Sequence, residues 1–265
     1  MTIRLEDLGR AVRDTQYAVR GPIVARAKEL ERAGREIIYC NIGNPHALGQ
    51  ATITYVRQVL ALCQYPDLLS RAQQLFPEDV LVTAGELLDG MGHGMGAYSD
   101  SKGVPFIREA VAAFIRDRDG IEADPDSIYL TDGASKGVQT ALRILVSGPQ
   151  DGIMIPIPQY PLYSATLTLL DCQQVGYYLD ESQDWKLSRR MLDESFEAAA
   201  ARGVTVRGIC VINPGNPTGA VLDEANIGMI IGFARERGLA VLADEVYQEN
   251  IYLRGDRFVS FAKVL

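Results

Sequence analysis

Three polar residues, Asn216, Asp244 and Tyr247, follow apolar runs in a pattern that would bring them to one pocket. The run Gly208 to Ile212 breaks into the turn NPGNPTG, a helical pattern follows, and Leu239 to Ala243 then leads into Asp244-Glu245-Val246-Tyr247. That order reads as strand, loop, helix, strand. In an open parallel sheet the carboxyl ends of the strands are where ligands bind. Asp244 carries the sharpest chemistry, because a carboxylate at the end of a buried strand is costly unless a cation or hydrogen-bond donors meet it. Its plainer alternatives are a helix cap or a surface ion pair.

A second group lies at Gly133-Ala134-Ser135-Lys136, where a strand-like run turns into a helical one. The first turn of a helix leaves backbone amides unpaired, its dipole favours negative charge, and a small hydroxyl adds a donor, so this is an anion site in outline. Ser135 as a simple helix cap is the alternative. The pattern G-x-x-x-x-G-K-[ST] is absent, which excludes a P-loop. Tyr160 stands between prolines in Pro158-Gln159-Tyr160-Pro161 and reads as part of a deliberate loop; Tyr163 is a lesser candidate beside it. The stretch GMGHGMGA (90–97) contains G-x-G-x-x-A, but a helical pattern precedes it and the loop YSDSKG follows, so it reads as a glycine loop and not a dinucleotide fingerprint. His93, in that loop, lacks the companions a metal site needs.

These residues need a scaffold of alternating elements. Strands are predicted at Glu36 to Ile42, Ser127 to Thr131, Ile153 to Ile157, Val175 to Leu179, Gly208 to Ile212 and Leu239 to Ala243. Helices are predicted over much of Met1 to Gly34 and at Ile53 to Cys63, Pro77 to Leu88, Val104 to Arg118, Ser135 to Val146, Leu162 to Leu170, Ser188 to Arg202 and Asp223 to Arg237. Such alternation implies an α/β fold with a mostly parallel sheet covered by helices on both faces. The 265 residues, 47% hydrophobic and 23% charged, suffice for a sizeable core. A net charge of −8 without a basic stripe argues against nucleic acid and anionic membrane as partners. No apolar stretch approaches the ~20 residues of a membrane helix. Four scattered cysteines and no secretory leader point to a reducing compartment, by default the cytoplasm.

The motifs NPGNPTG and ADEVYQ, with NIGNPHALGQ, GAYSDSKG, TDGASKG and PIPQYPLYS in order, resemble the fold-type I aminotransferases dependent on pyridoxal phosphate, their alanine aminotransferase branch in particular. The resemblance runs from about Arg20 to the last residue. It implies the large domain of that fold over 45–265, incomplete at its carboxyl end, with an amino-terminal arm and partial small domain over 1–44. It implies pyridoxal 5'-phosphate as cofactor: Ala134, Ser135 and Lys136 cradle its phosphate, Tyr160 stacks on its ring, Asp244 meets the protonated ring nitrogen, and Asn216 and Tyr247 donate to its phenolic oxygen. Glu245 stands behind them, and Asn216-Pro217 is a cis bond. Gly43 approaches the substrate carboxylate, and Tyr98 reaches a neighbouring subunit's cofactor phosphate, which implies a homodimer. The activity implied is ping-pong exchange between L-alanine and 2-oxoglutarate, small-molecule amino and oxo acids. Another fold-type I aminotransferase or lyase, or a non-catalytic binding or regulatory protein of the same fold, is the alternative. The family's Schiff-base lysine lies beyond the motif that holds Asp244, and Lys263 does not match it. The chain therefore reads as an amino-terminal part without a catalytic residue, and inactive as it stands.

Overall fold

A computed structural model of the chain describes every residue except 1–3, 18–20, 41, 42, 44 and 93. The chain divides into two compact units, residues 1–38 with 131–265, and residues 39–130. The first begins with helices α1 (Arg10–Asp14) and α2 (Pro22–Arg32). The helical pattern expected over 1–34 appears, among the described residues, as these two α-helices, and Gly21 and Pro22 mark the start of the second as such residues do.

The second unit is helical. Its helices are α3 (Tyr55–Gln64), α4 (Leu69–Ala72), α5 (Glu78–Met91) and α6 (Pro105–Asp119). Leu62, Cys63, Ala72, Val80 and Ala84 form a core among the first three. Arg108 of α6 is buried and donates to the carbonyls of Gly103 (3.1 Å) and Pro125 (2.7 Å) and to the Asp126 carboxylate (3.0 Å).

The remainder of the first unit alternates as expected. It runs α7 (Ala134–Leu145), β1 (Asp151–Ile157), α8 (Leu162–Leu169), β2 (Gln173–Tyr178), α9 (Arg189–Ala201), β3 (Thr205–Ile212), α10 (Glu224–Arg237), β4 (Ala240–Asp244) and α11 (Phe261–Val264). The four strands form one sheet in the order β2-β1-β3-β4, with every pairing parallel. Side chains alternate across a strand, so β1 and β3 serve two cores at once. Met154, Ile209 and Val211 pack with Ile227, Ile230 and Phe233 of α10 and Leu192 of α9. Ile153, Ile155, Cys210 and Ile212 pack on the opposite face with Leu142 of α7 and Tyr163 and Leu167 of α8. Cys172 joins that second core, while Cys40 is exposed.

Two predicted strands do not form. Residues 36–40 and 128–131 belong to no described strand, and residues 41 and 42 of the first prediction lie outside the described residues; the Leu130 amide donates to the Lys102 carbonyl at 2.8 Å. The predicted glycine loop holds at residue 92 and over 94–97, while residues 90 and 91 end α5, and His93 lies outside the described residues.

Candidate functional site

Because all strands are parallel, the segments that follow β1, β3 and β4 emerge at one edge of the sheet. The chain leaves β1 for β2 on one side, while β3 lies on the other, and it is at such a reversal of strand order that a crevice opens. A cavity of about 240 Å³ lies there, lined by Ala134, Ser135, Tyr160, Asn216, Asp244 and Tyr247 together with Leu162, Ile212 and Val246. Six of the residues singled out from the sequence therefore meet in one place.

Each arrives by a local cause. Asp244 is the last residue of β4, paired with Ile212, and its carbonyl accepts from the Asn213 amide at 2.9 Å. Its carboxylate accepts from the Tyr163 hydroxyl on Oδ2 at 2.6 Å and from the Val246 amide on Oδ1 at 3.3 Å. The turn after β3 is held by Asn213, which is fully buried, donates to the Val259 carbonyl (3.2 Å) and accepts from the Leu222 amide (2.9 Å). The Asn213-Pro214 and Asn216-Pro217 peptides are cis, the second as expected. This turn carries Asn216 to the cavity, where its Nδ2 donates to the Tyr247 hydroxyl at 3.3 Å.

Helix α7 begins behind Gly133, whose φ of 86° is a conformation glycine adopts readily and side-chain-bearing residues do not. Within the helix the first bond runs from the Lys136 amide to the Gly133 carbonyl, so the amides of Ala134 and Ser135 precede the ladder and remain available for an anion. Gly133 is the cap, which removes the simple-cap reading of Ser135. Tyr160 follows β1 and is met edge-on by Tyr17, with ring centroids 6.1 Å apart and the two hydroxyls hydrogen-bonded.

Other candidates lie elsewhere. Lys136 is exposed and does not line the cavity, and no lysine does among the described residues. Gly43 and Tyr98 belong to the unit 39–130, where both are exposed. Glu245 accepts from the Phe261 amide at 2.7 Å, tying the end of β4 to the start of α11. Sequence reasoning missed two contacts, those of Tyr17 and of the Tyr163 hydroxyl. The only signal for the latter was its position three residues after Tyr160, in the first turn of α8.

Against known proteins, the profile described as "Aminotransferase class I and II" matches residues 59–261. The chain belongs to this family. Similar curated relatives include glutamate–glyoxylate aminotransferase 2 of Arabidopsis thaliana, 50% identical over 98% of this chain and 54% of that protein. Alanine aminotransferase 1 of Mus musculus is also 50% identical, over 99% of this chain and 55% of its own length. An aminotransferase structure from Escherichia coli superposes with a TM-score of 0.72 at 28% identity, covering all of this chain and 56% of the other. The chain thus spans about half the length of the relatives it matches, and its fold is that of the fold-type I aminotransferases.

Aminotransferases of this family depend on pyridoxal phosphate, and the cavity suits that group. A helix start with unladdered amides offers a phosphate site, an aromatic ring stands beside it, and a carboxylate and an Asn–Tyr pair face the same space. No helix among the described residues is long and apolar enough to cross a membrane.

Proposed function

We propose that this chain forms the cofactor-holding part of an aminotransferase that exchanges an amino group between L-alanine and 2-oxoglutarate. The observation that carries the reading is the meeting of six separately predicted residues around one cavity. The amides of Ala134 and Ser135 bind the phosphate, with Lys136 adding positive charge nearby. Tyr160 covers the ring and fixes its height. Asn216 and Tyr247 donate to the phenolic oxygen, and Asp244 holds the proton on the ring nitrogen. When bound, the cofactor supplies an electron sink for the charge left as Cα loses its proton.

Several parts of the reading extend past this cavity. Gly43 serves the substrate carboxylate and Tyr98, fully exposed, serves a second copy's cofactor phosphate in a homodimer. Four unpaired cysteines fit a reducing compartment such as the cytoplasm. Exchange between glutamate and glyoxylate is the second reading, favoured by an identity to the Arabidopsis relative equal to that shared with the mouse protein.

Titration with pyridoxal 5'-phosphate, followed by absorbance and by Trp185 fluorescence, tests the site. Asp244→Ala is expected to weaken binding by about tenfold or more, since it removes a charge-assisted hydrogen bond. Affinity unchanged by that substitution would remove Asp244 from the site.

A further inference from the structure

The two oxygens of Asp244 have different neighbours. Val246, two residues onward, supplies an amide to Oδ1 from the turn after β4. Oδ2 is met from within the core by Tyr163 of α8, which has no exposed surface and packs with Ile153, Ile155, Leu167 and Cys210. A ring was needed at that place for packing; a hydroxyl was not. Burying a phenol has a desolvation cost that phenylalanine would avoid, unless the hydroxyl has a partner and a task. Burial, reinforced by the Asp244 charge, holds the Tyr163 hydroxyl well above the usual phenol range, so it stays protonated and acts only as donor toward the carboxylate.

We propose that Tyr163 is a positioning residue: by pinning Oδ2 of Asp244 from the core, it stops the carboxylate from turning and leaves Oδ1 to face the cationic nitrogen of the pyridine cofactor. This rests on the cofactor reading given above. A carboxylate held only by the Val246 amide at 3.3 Å could rotate about its Cβ–Cγ bond and meet the ring nitrogen in many orientations. With the second donor in place one orientation is selected before the ligand arrives, and the ordering cost of binding falls accordingly.

A double-mutant cycle separates this role from a structural one. Pyridoxal 5'-phosphate is titrated into the full chain, Tyr163→Phe, Asp244→Ala and the double variant, with melts of the cofactor-free proteins fixing the folded fraction. Tyr163→Phe is expected to raise Kd about tenfold in the parent and to change nothing further when Asp244 is already alanine. A normal Kd for Tyr163→Phe beside a weakened Asp244→Ala overturns the positioning role and leaves the cofactor site standing. An equal loss in both backgrounds also overturns it, because the hydroxyl would then act on the fold. An unaffected Asp244→Ala overturns the site and the inference together. If the phenylalanine variant does not fold, 3-fluorotyrosine at 163 keeps the hydroxyl and strengthens its donation. A shift in the bound cofactor's absorption maximum that disappears with Asp244→Ala is then expected, and no shift overturns the proposal.

Discussion

At the scale of single residues, Asp151 at the start of β1 ties the stability of the fold to pH. Its buried carboxylate accepts from the Ser147 amide and from Arg207 Nε, each at 2.7 Å, and these donors hold it below the usual carboxylate range. A carboxyl whose proton affinity is lowered by folding stabilises the fold above its ordinary pKa of about 3.9, and that contribution disappears as pH falls through the lower folded value. Asp151→Asn is expected to cost about 2 kcal/mol at neutral pH and to flatten the loss of stability on acidification. Thermal melts from pH 7 to pH 3 check this, and parallel profiles for the two proteins would contradict it. The residues legible in the sequence were those whose place is locally dictated. Asp244 ends an apolar run, Asn216 sits in a proline turn, and Ser135 follows a glycine at a helix start. Tyr163 was weighed only for its ring, because the carboxylate that gives its hydroxyl a purpose is 81 residues away and only the fold makes them neighbours.

At the scale of elements, the placement of Asp244 depends on how closely β4 lies against β3. Gly208 of β3 is opposite Ala240, and a Cβ at Gly208 would stand 2.9 Å from the Ala240 carbonyl oxygen. Backbone cannot swing aside as a side-chain tip can. Gly208→Ala is therefore expected to destabilise the chain by about 1–3 kcal/mol and to weaken binding of pyridoxal 5'-phosphate through displacement of β4. Denaturant titration and Kd together test it; a variant as stable and as tight-binding as the parent would show that the strands have slack. The four paired strands were legible because apolar runs alternating with amphipathic helices have few other ways to pack. Residues 36–40 and 128–131 had the composition of a strand but joined no described sheet, and pairing is decided by the tertiary fold and not by local propensity.

At the scale of the molecule, the far edge of β4 is decisive, since no described strand pairs with it. An open edge beside apolar surface is a template for another chain. The protein is expected to self-associate with rising concentration in sedimentation velocity, and Ala243→Lys, a charge on that exposed position, to reduce the effect. A single concentration-independent monomer would contradict this. The division into residues 39–130 and the rest was not legible in composition, because no linker-like stretch marks either boundary and only the contacts define it. The four thiols distribute themselves over that organisation. Cys63 is sealed in the helical unit, Cys172 and Cys210 lie on one side of the sheet, and Cys40 is open to solvent. Burial pushes the Cys172 thiol up to about 11 and raises Cys63 and Cys210 as well, which leaves all three slow toward electrophiles while their surroundings remain closed. The molecule thus carries its own timers: the rate at which each sulfur becomes alkylated reports when its particular compartment breathes, with no reporter group to be engineered in.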